Sequence, residues 1–245
     1  MENSIYQSMQ AAIQLLENQN VIANNLSNIS TTGFKETFNL IIKDKNLKKV
    51  KIKQYYNFEP GLLINTQRKL DFIIKNDGWL AIYDHNGDEA YTKNGHLKIN
   101  EKGELTVQNY KIISNQSDIK VSNKDNIKIS PNGVIKVIKN QSNKISEVEI
   151  GSIKLVRFPK KDFIKKNGLF YLKNNKKFLK NKIIQTYKND VCIEPEMLEI
   201  SNVNASKNMV DMISNARQFE MNMKMISIED QNIERANQLF NINNN

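Results

Sequence analysis

Both ends of this 245-residue chain repeat residues in alternating steps of four and three, and the middle does not. Near the start the series is Ile5, Met9, Ala12, Leu16, Gln19, Ala23 and Leu26. Near the end it is Met209, Met212, Ala216, Phe219, Met223, Ile226, Asp230, Ile233, Asn237 and Phe240. Such steps lay one narrow apolar stripe along a helix, a seam for another helix and not a broad core face. The spacing predicts a first helix over residues 4–29, about 39 Å long, with Asn3 as its cap. It should stop in Ser27-Asn28-Ile29-Ser30-Thr31-Thr32-Gly33, where side chains compete for backbone hydrogen bonds and a glycine follows. A second helix should start at an Asn204 cap and run to Phe240, about 54 Å, before a frayed Asn-rich end.

From Leu70 the rhythm changes to short apolar alternations broken by turns. Asn76-Asp77-Gly78, Asn86-Gly87, Asn94-Gly95, Lys102-Gly103, Asn132-Gly133 and Asn167-Gly168 punctuate the runs, and Phe158-Pro159 continues the pattern. Asn-Gly tolerates the positive φ of tight hairpin turns, so these read as antiparallel hairpins. Residues 37–69 hold no steady period and read as a strand or two plus a linker. The expected class is α+β. Residues 1–36 with 201–245 form a coiled-coil-like axial domain of two long helices, 37–69 an extended linker, and 70–200 a central, mainly antiparallel β-domain.

A single stripe in water does not hold a helix together; packing must cover it. The helices are long for a small β-domain to cover, so the seams are expected to find partners in other copies. An internal helical hairpin is the alternative. Gln19, Asp230 and Asn237 on the seams would weaken a dimeric coil but fix its register. Met209, Met212, Met221, Met223 and Met225 suit a surface that adapts to several neighbours.

Hydrophobic content of 39% supports a packed core. No apolar run reaches the ~18 residues of a membrane span, so no direct membrane insertion is expected. The opening residues lack the basic-then-apolar plan of a cleaved signal. The net charge of +10 raises a basic polyanion-binding β-domain as an alternative of a different class. Lysines such as Lys48, Lys49, Lys160, Lys161, Lys176 and Lys177 are scattered through polar stretches without interleaved aromatics, however, and nucleic acid is not the expected partner. Cys192, the sole cysteine, forms no internal disulfide and is expected to be buried near the end of the β-region.

Catalytic chemistry finds little support. Asp84, Asn86 and Asp88 resemble the opening of a calcium loop, but the sixth and twelfth places hold Glu89 and Gly95, so a turn is expected. His85 and His96 lie in or beside turns with no metal-binding spacing. No phosphate loop, dinucleotide fingerprint or nucleophile elbow occurs. Glu194, Glu196 and Glu199 could supply the acids of a wall-cleaving enzyme, but lie where negative charge favours a following helix dipole. No enzyme, catalytic residue, metal or cofactor is expected.

Specific residues at both ends are recognisable. Asn20-Val21-Ile22-Ala23-Asn24-Asn25-Leu26-Ser27-Asn28-Ile29-Ser30-Thr31-Thr32-Gly33-Phe34-Lys35 closely resembles the N-terminal motif of bacterial flagellar rod and hook proteins. Leu198-Glu199-Ile200-Ser201-Asn202-Val203-Asn204, followed by Met209-Val210-Asp211-Met212-Ile213, resembles their C-terminal motif. Asp77-Gly78-Trp79-Leu80 and Ala90-Tyr91-Thr92-Lys93-Asn94-Gly95 are similar to the family's central β-domain. Residues 217–227, Arg-Gln-Phe-Glu-Met-Asn-Met-Lys-Met-Ile-Ser, favour a subunit of the proximal rod over its distal-rod paralogue. Two departures stand out: Glu196 replaces a usual glycine, and a glycine expected beside Asn109-Tyr110 is missing.

The resemblance implies a torque-transmitting structural subunit of the basal-body rod, located in the periplasmic space. It would be exported uncleaved by the flagellar type III apparatus and polymerise with itself and with other proximal and distal rod proteins. The assembly interface it implies comprises Ile5, Met9, Ala12, Leu16, Ala23, Asn24, Asn25, Leu26, Gly33, Phe34, Ser201, Asn202, Val203, Asn204, Met209, Met212, Ala216, Phe219, Met223, Ile226 and Ile233.

Overall fold

A computed structural model describes residues 2–43, 50–115, 119–122, 125–141, 144–157, 163–172 and 192–242. The chain is α+β and divides into two units, one mainly helical and one of antiparallel strands.

The helical unit comprises Met1–Ile29, Lys35–Asn57 and Val203–Asn245. Helix α1 is Glu2–Ser27 and helix α2 is Ala205–Ile242. They lie antiparallel: Asn25 meets Asn208 near one end, and Gln19 meets Asn215 one heptad further along. Helix α1 begins earlier than expected, which puts Asn3 inside its first turn. It closes with tightened bonds from Asn28 N to the Asn25 carbonyl and Ile29 N to the Leu26 carbonyl. Asn204 caps α2 through Oδ1, which accepts from Lys207 N at 3.0 Å. With 38 residues against 26, α2 runs past the start of α1.

The segment 37–69, expected as a strand or two plus a linker, contains strands. Strands β1 (Thr37–Lys43) and β2 (Val50–Tyr56) form an antiparallel ribbon, paired from Thr37↔Tyr56 to Lys43↔Val50, within the helical unit. The rest of the segment, residues 58–69, belongs to the β unit.

The β unit comprises Ser30–Phe34 and Phe58–Asn202. Its strands are β3 (Leu63–Asn65), β4 (Phe72–Ile74), β5 (Gly78–Tyr83), β6 (Glu89–Thr92), β7 (Lys98–Ile99), β8 (Leu105–Val107), β9 (Tyr110–Lys111), β10 (Asn126–Ile129), β11 (Val134–Gln141), β12 (Lys144–Ser152), β13 (Leu155–Arg157), β14 (Phe163–Lys166), β15 (Leu169–Leu172), β16 (Ile193–Pro195) and β17 (Met197–Glu199). A five-stranded sheet runs β13-β5-β6-β15-β14, beside three-stranded sheets β10-β11-β12 and β7-β8-β9 and the pairs β16-β4 and β17-β3. Phe72, Leu80, Ile82, Leu97, Leu105, Val107, Ile135 and Ile153 fill the core at near-zero exposure.

Four of the six turn signals close hairpins: Asn86-Gly87, Lys102-Gly103, Asn132-Gly133 and Asn167-Gly168. The other two do not. Asn76 and Asp77 both take positive φ, yet β4 pairs with distant β16 and not with β5. Gly95 lies against the Phe72 backbone, whose N–H bonds its carbonyl at 3.1 Å, where any Cβ would collide. Phe158-Pro159 lies outside the described residues.

Candidate assembly interface

Each helix keeps part of the expected seam inward and turns the rest outward: Met9 and Leu16 on α1, about half of the series on α2. On α2 the residues drawn inward at heptad spacing are Asn208, Met212, Asn215, Phe219, Asn222, Ile226, Glu229 and Ile233. Met212, Phe219, Ile226 and Ile233 hold their expected places, while Met209, Ala216 and Met223 stand exposed beside them. On α1, Ile5, Ala12, Gln19 and Leu26 are at least half-buried, joined by Ser8, Leu15 and Ile22 in place of exposed Met9 and Leu16; Ala23 is half-buried. Two heptad frames one residue apart share half their positions, so apolar spacing alone does not choose between them. Hydrogen bonding favours the polar frame: Asn215 Nδ2 donates to the Leu15 carbonyl at 2.7 Å and to Gln19 Oε1 at 2.9 Å.

A buried asparagine hub ties the helix ends to the ribbon. Asn25, 2% exposed, donates from Nδ2 to the Thr37 carbonyl at 2.8 Å, and its Oδ1 accepts from Thr37 N at 3.0 Å. The side-chain amide thereby copies one rung of a β-ladder. Asn25 Nδ2 also reaches Asn208 Oδ1 at 3.4 Å, and Asn208 Nδ2 donates to Glu36 Oε1 and to the Asn204 carbonyl. Asn24 is exposed and uses its carbonyl to accept from Asn28 Nδ2. Beside the hub is a cleft of about 310 Å³ lined by Asn18, Asn39, Lys207, Asp211 and Gln218 among others. Asn39 Nδ2 donates to Asn18 Oδ1 there, while its own buried Oδ1 has no protein partner.

The remaining recognisable residues belong mostly to the β unit. Gly33 takes φ +68, and a Cβ on it would come within 2.5 Å of the Lys93 backbone. Its N–H bonds the Glu199 carbonyl at 2.7 Å, and Asn202 N donates to the Phe34 carbonyl. Asn202 Nδ2 also bonds the Glu59 carbonyl; Ser201 is half-buried, Val203 buried and Asn204 exposed. Lys165 Nζ stands 3.8 Å over the Phe34 ring, and burial pulls its ammonium down to about 8. Phe58, Trp79, Phe163 and Phe170 cluster with ring centroids 4.9–6.0 Å apart, and Lys93 lies over Trp79. Sequence spacing gave no hint of this aromatic cluster.

The candidate catalytic groups have structural partners. Glu194 pairs with Lys75 at 2.6 Å, and buried Glu199 accepts from Gly61 N at 2.8 Å. Both sit on strands, and the first turn of α2 holds no acidic residue, so the expected dipole role does not apply. Asp84 Oδ1 accepts from Asn86 N and Asp88 N, closing the β5–β6 turn. His96 Nδ1 lies 2.8 Å from buried Asp71, which Arg68 also bonds at 2.7 Å, so His96 belongs to a side-chain network. Cys192 is partly exposed, not buried as expected, because it precedes β16 at its edge. Lys154–Glu89, Lys111–Glu104 and Lys136–Glu147 pairs at 2.8–3.0 Å engage lysines that a polyanion would need. Among the described residues, no group of three or more His, Cys, Asp or Glu could hold a metal ion, and no helix is long and apolar enough to cross a membrane.

Three family profiles match: "Flagella basal body rod protein" over residues 5–35, "Flagellar hook protein FlgE/F/G D1 domain" over 73–137, and "Flagellar basal body rod FlgEFG protein C-terminal" over 194–239. The chain is 60% identical to the flagellar basal-body rod protein FlgF of Buchnera aphidicola subsp. Schizaphis graminum, over the whole of both chains. It is 38% identical to FlgF of Buchnera aphidicola subsp. Baizongia pistaciae and 33% to FlgF of Escherichia coli K12, each over 99% of this chain and all of the relative. With N-terminal, central and C-terminal matches in order and full-length identity at this level, the chain belongs to the FlgF family of flagellar basal-body rod proteins.

Proposed function

We propose that this structural rod subunit polymerises through its terminal helices into the proximal part of the flagellar rod. The observation that carries this reading is a second apolar stripe on each helix. Tyr6, Met9, Ile13 and Leu16 recur at steps of three, four and three on α1, each 49–63% exposed. Val210, Ile213, Met221 and Ile228 form a comparable stripe on α2. An internal pairing that uses one frame leaves the neighbouring frame open, and exposed apolar stripes of this size mark protein–protein surfaces. In the rod these stripes pack in coiled-coil fashion against other copies and against neighbouring rod subunits, so that torque passes through many shallow contacts with no active site. The uncleaved chain reaches the periplasm through the flagellar type III apparatus.

The test is to place Glu at Ile13 and Ile213 together. Incorporation into rods should be lost while the purified chain keeps its melting temperature. Normal incorporation of the double variant would end the proposal.

A further inference from the structure

We infer that the β1–β2 ribbon receives the exposed α1 stripe of a second copy of this chain. The inference rests on the polymerisation proposed above and names one of its contacts. Phe38, Leu40 and Ile42 alternate along β1, so they share one face, and each is 41–44% exposed. The opposite face is engaged: Thr37 is held by Asn25, and Asn39 by Asn18 of α1. Across the ribbon Phe38 pairs with Tyr55 and Leu40 with Lys53. The two rings stack at 6.1 Å, and exposed Lys53 lies 5.3 Å over Tyr55. The face is apolar with a cationic margin, and the two strands contain Lys43, Lys51 and Lys53 without one acidic residue.

Charge selects the occupant. Helix α1 contains Glu2 and Glu17 and neither lysine nor arginine, and exposed Glu17 lies one turn from Ile13 beside the stripe. The exposed stripe of α2 instead carries Arg217 and Lys224 at its own heptad spacing, with Glu220 between them, so it offers Lys53 no net negative charge. Lengths agree as well: ten residues of helix from Tyr6 to Leu16 span about 15 Å, and the ribbon from Phe38 to Ile42 spans about 14 Å. Because the two surfaces differ and lie on the same unit, the contact is head-to-tail and leaves one of each unfilled at the ends. That is the arrangement that grows filaments and not closed dimers. A contact this short is weak alone and gains its strength from repetition.

The experiment uses the full chain with Cys192→Ser and one added cysteine. Ile13→Cys chains are mixed with Leu40→Cys chains and oxidised at high protein concentration, with circular dichroism confirming the fold of each. A disulfide-linked dimer should form in the mixture at several-fold the yield of either chain alone. Lys53→Glu or Glu17→Lys should each cut the yield several-fold, and combining them across the pair should restore it. Self-association by sedimentation without the cross-link overturns the ribbon pairing while leaving helix-borne assembly intact. Absence of any self-association overturns both. A cross-link indifferent to both charge reversals overturns charge as what selects the occupant, and Lys53-dependent binding to phosphatidylglycerol vesicles in place of the cross-link overturns the occupant itself.

Discussion

Single backbone positions carry measurable strain. Glu196 holds φ +62 between β16 and β17, a left-handed conformation that costs an L-residue about 1–2 kcal/mol. Its backbone is fixed from both sides, N–H to the Asp71 carbonyl and carbonyl to Thr66 N–H. Glu196→Gly should therefore raise stability by about 0.5–1 kcal/mol after glycine's entropy in the unfolded chain is subtracted, read as a shift in the denaturant midpoint. Gly33→Ala should do the reverse, losing about 2–4 kcal/mol, because its Cβ meets Lys93 backbone that has no flexible end to yield. Lys165 gives a pH signature. Burial lowers its folded-state value to about 8 from 10.5, so between those limits the unfolded chain binds the extra proton and stability rises with pH. Relative to Lys165→Met, the natural chain should gain on the order of 2 kcal/mol from pH 7 to pH 10; a flat difference would contradict the buried ammonium.

Elements were unevenly legible in the sequence. Helix extents were nearly right because caps and stops are local chemistry: Asn204 bonds three residues away, and the Ser27–Gly33 run ends α1 by its own side chains. Tight turns were legible for the same reason. Missing glycines were no obstacle, since Gln108 and Asn109 take positive φ themselves between β8 and β9. Pairings of high sequence separation were not legible: β4 finds β16 and β3 finds β17 across more than a hundred residues. The inward frame of α2 escaped notice because Asn208, Asn215 and Asn222, not apolar residues, occupy it. Asn25→Ala should cost the helical unit about 2–3 kcal/mol, since it removes two hydrogen bonds to the backbone of buried Thr37. Asn25→Asp, which keeps the acceptor and loses the donor, should fall between the two; equal stability of all three would show the hub to be dispensable.

For the whole molecule, the division into units predicts separable behaviour. Deleting residues 1–29 removes α1 but none of the β unit, which starts at Ser30 and retains Gly33. The β unit should keep its cooperative melt, while helical signal in circular dichroism falls by more than α1's own share because α2 loses its partner. Disappearance of the β melt would show that the units are not independent. The helical unit is assembled from three stretches of chain, and 145 residues, 58 to 202, intervene before its last piece. Closing a loop of that length costs about 4 kcal/mol in entropy unless the intervening strands have already drawn its ends together. Order of folding then departs from order of translation, the first-made helix packing last. A released chain ending at residue 202 should show a protease-resistant middle and a cleavable start, because the opening segment lacks its mate.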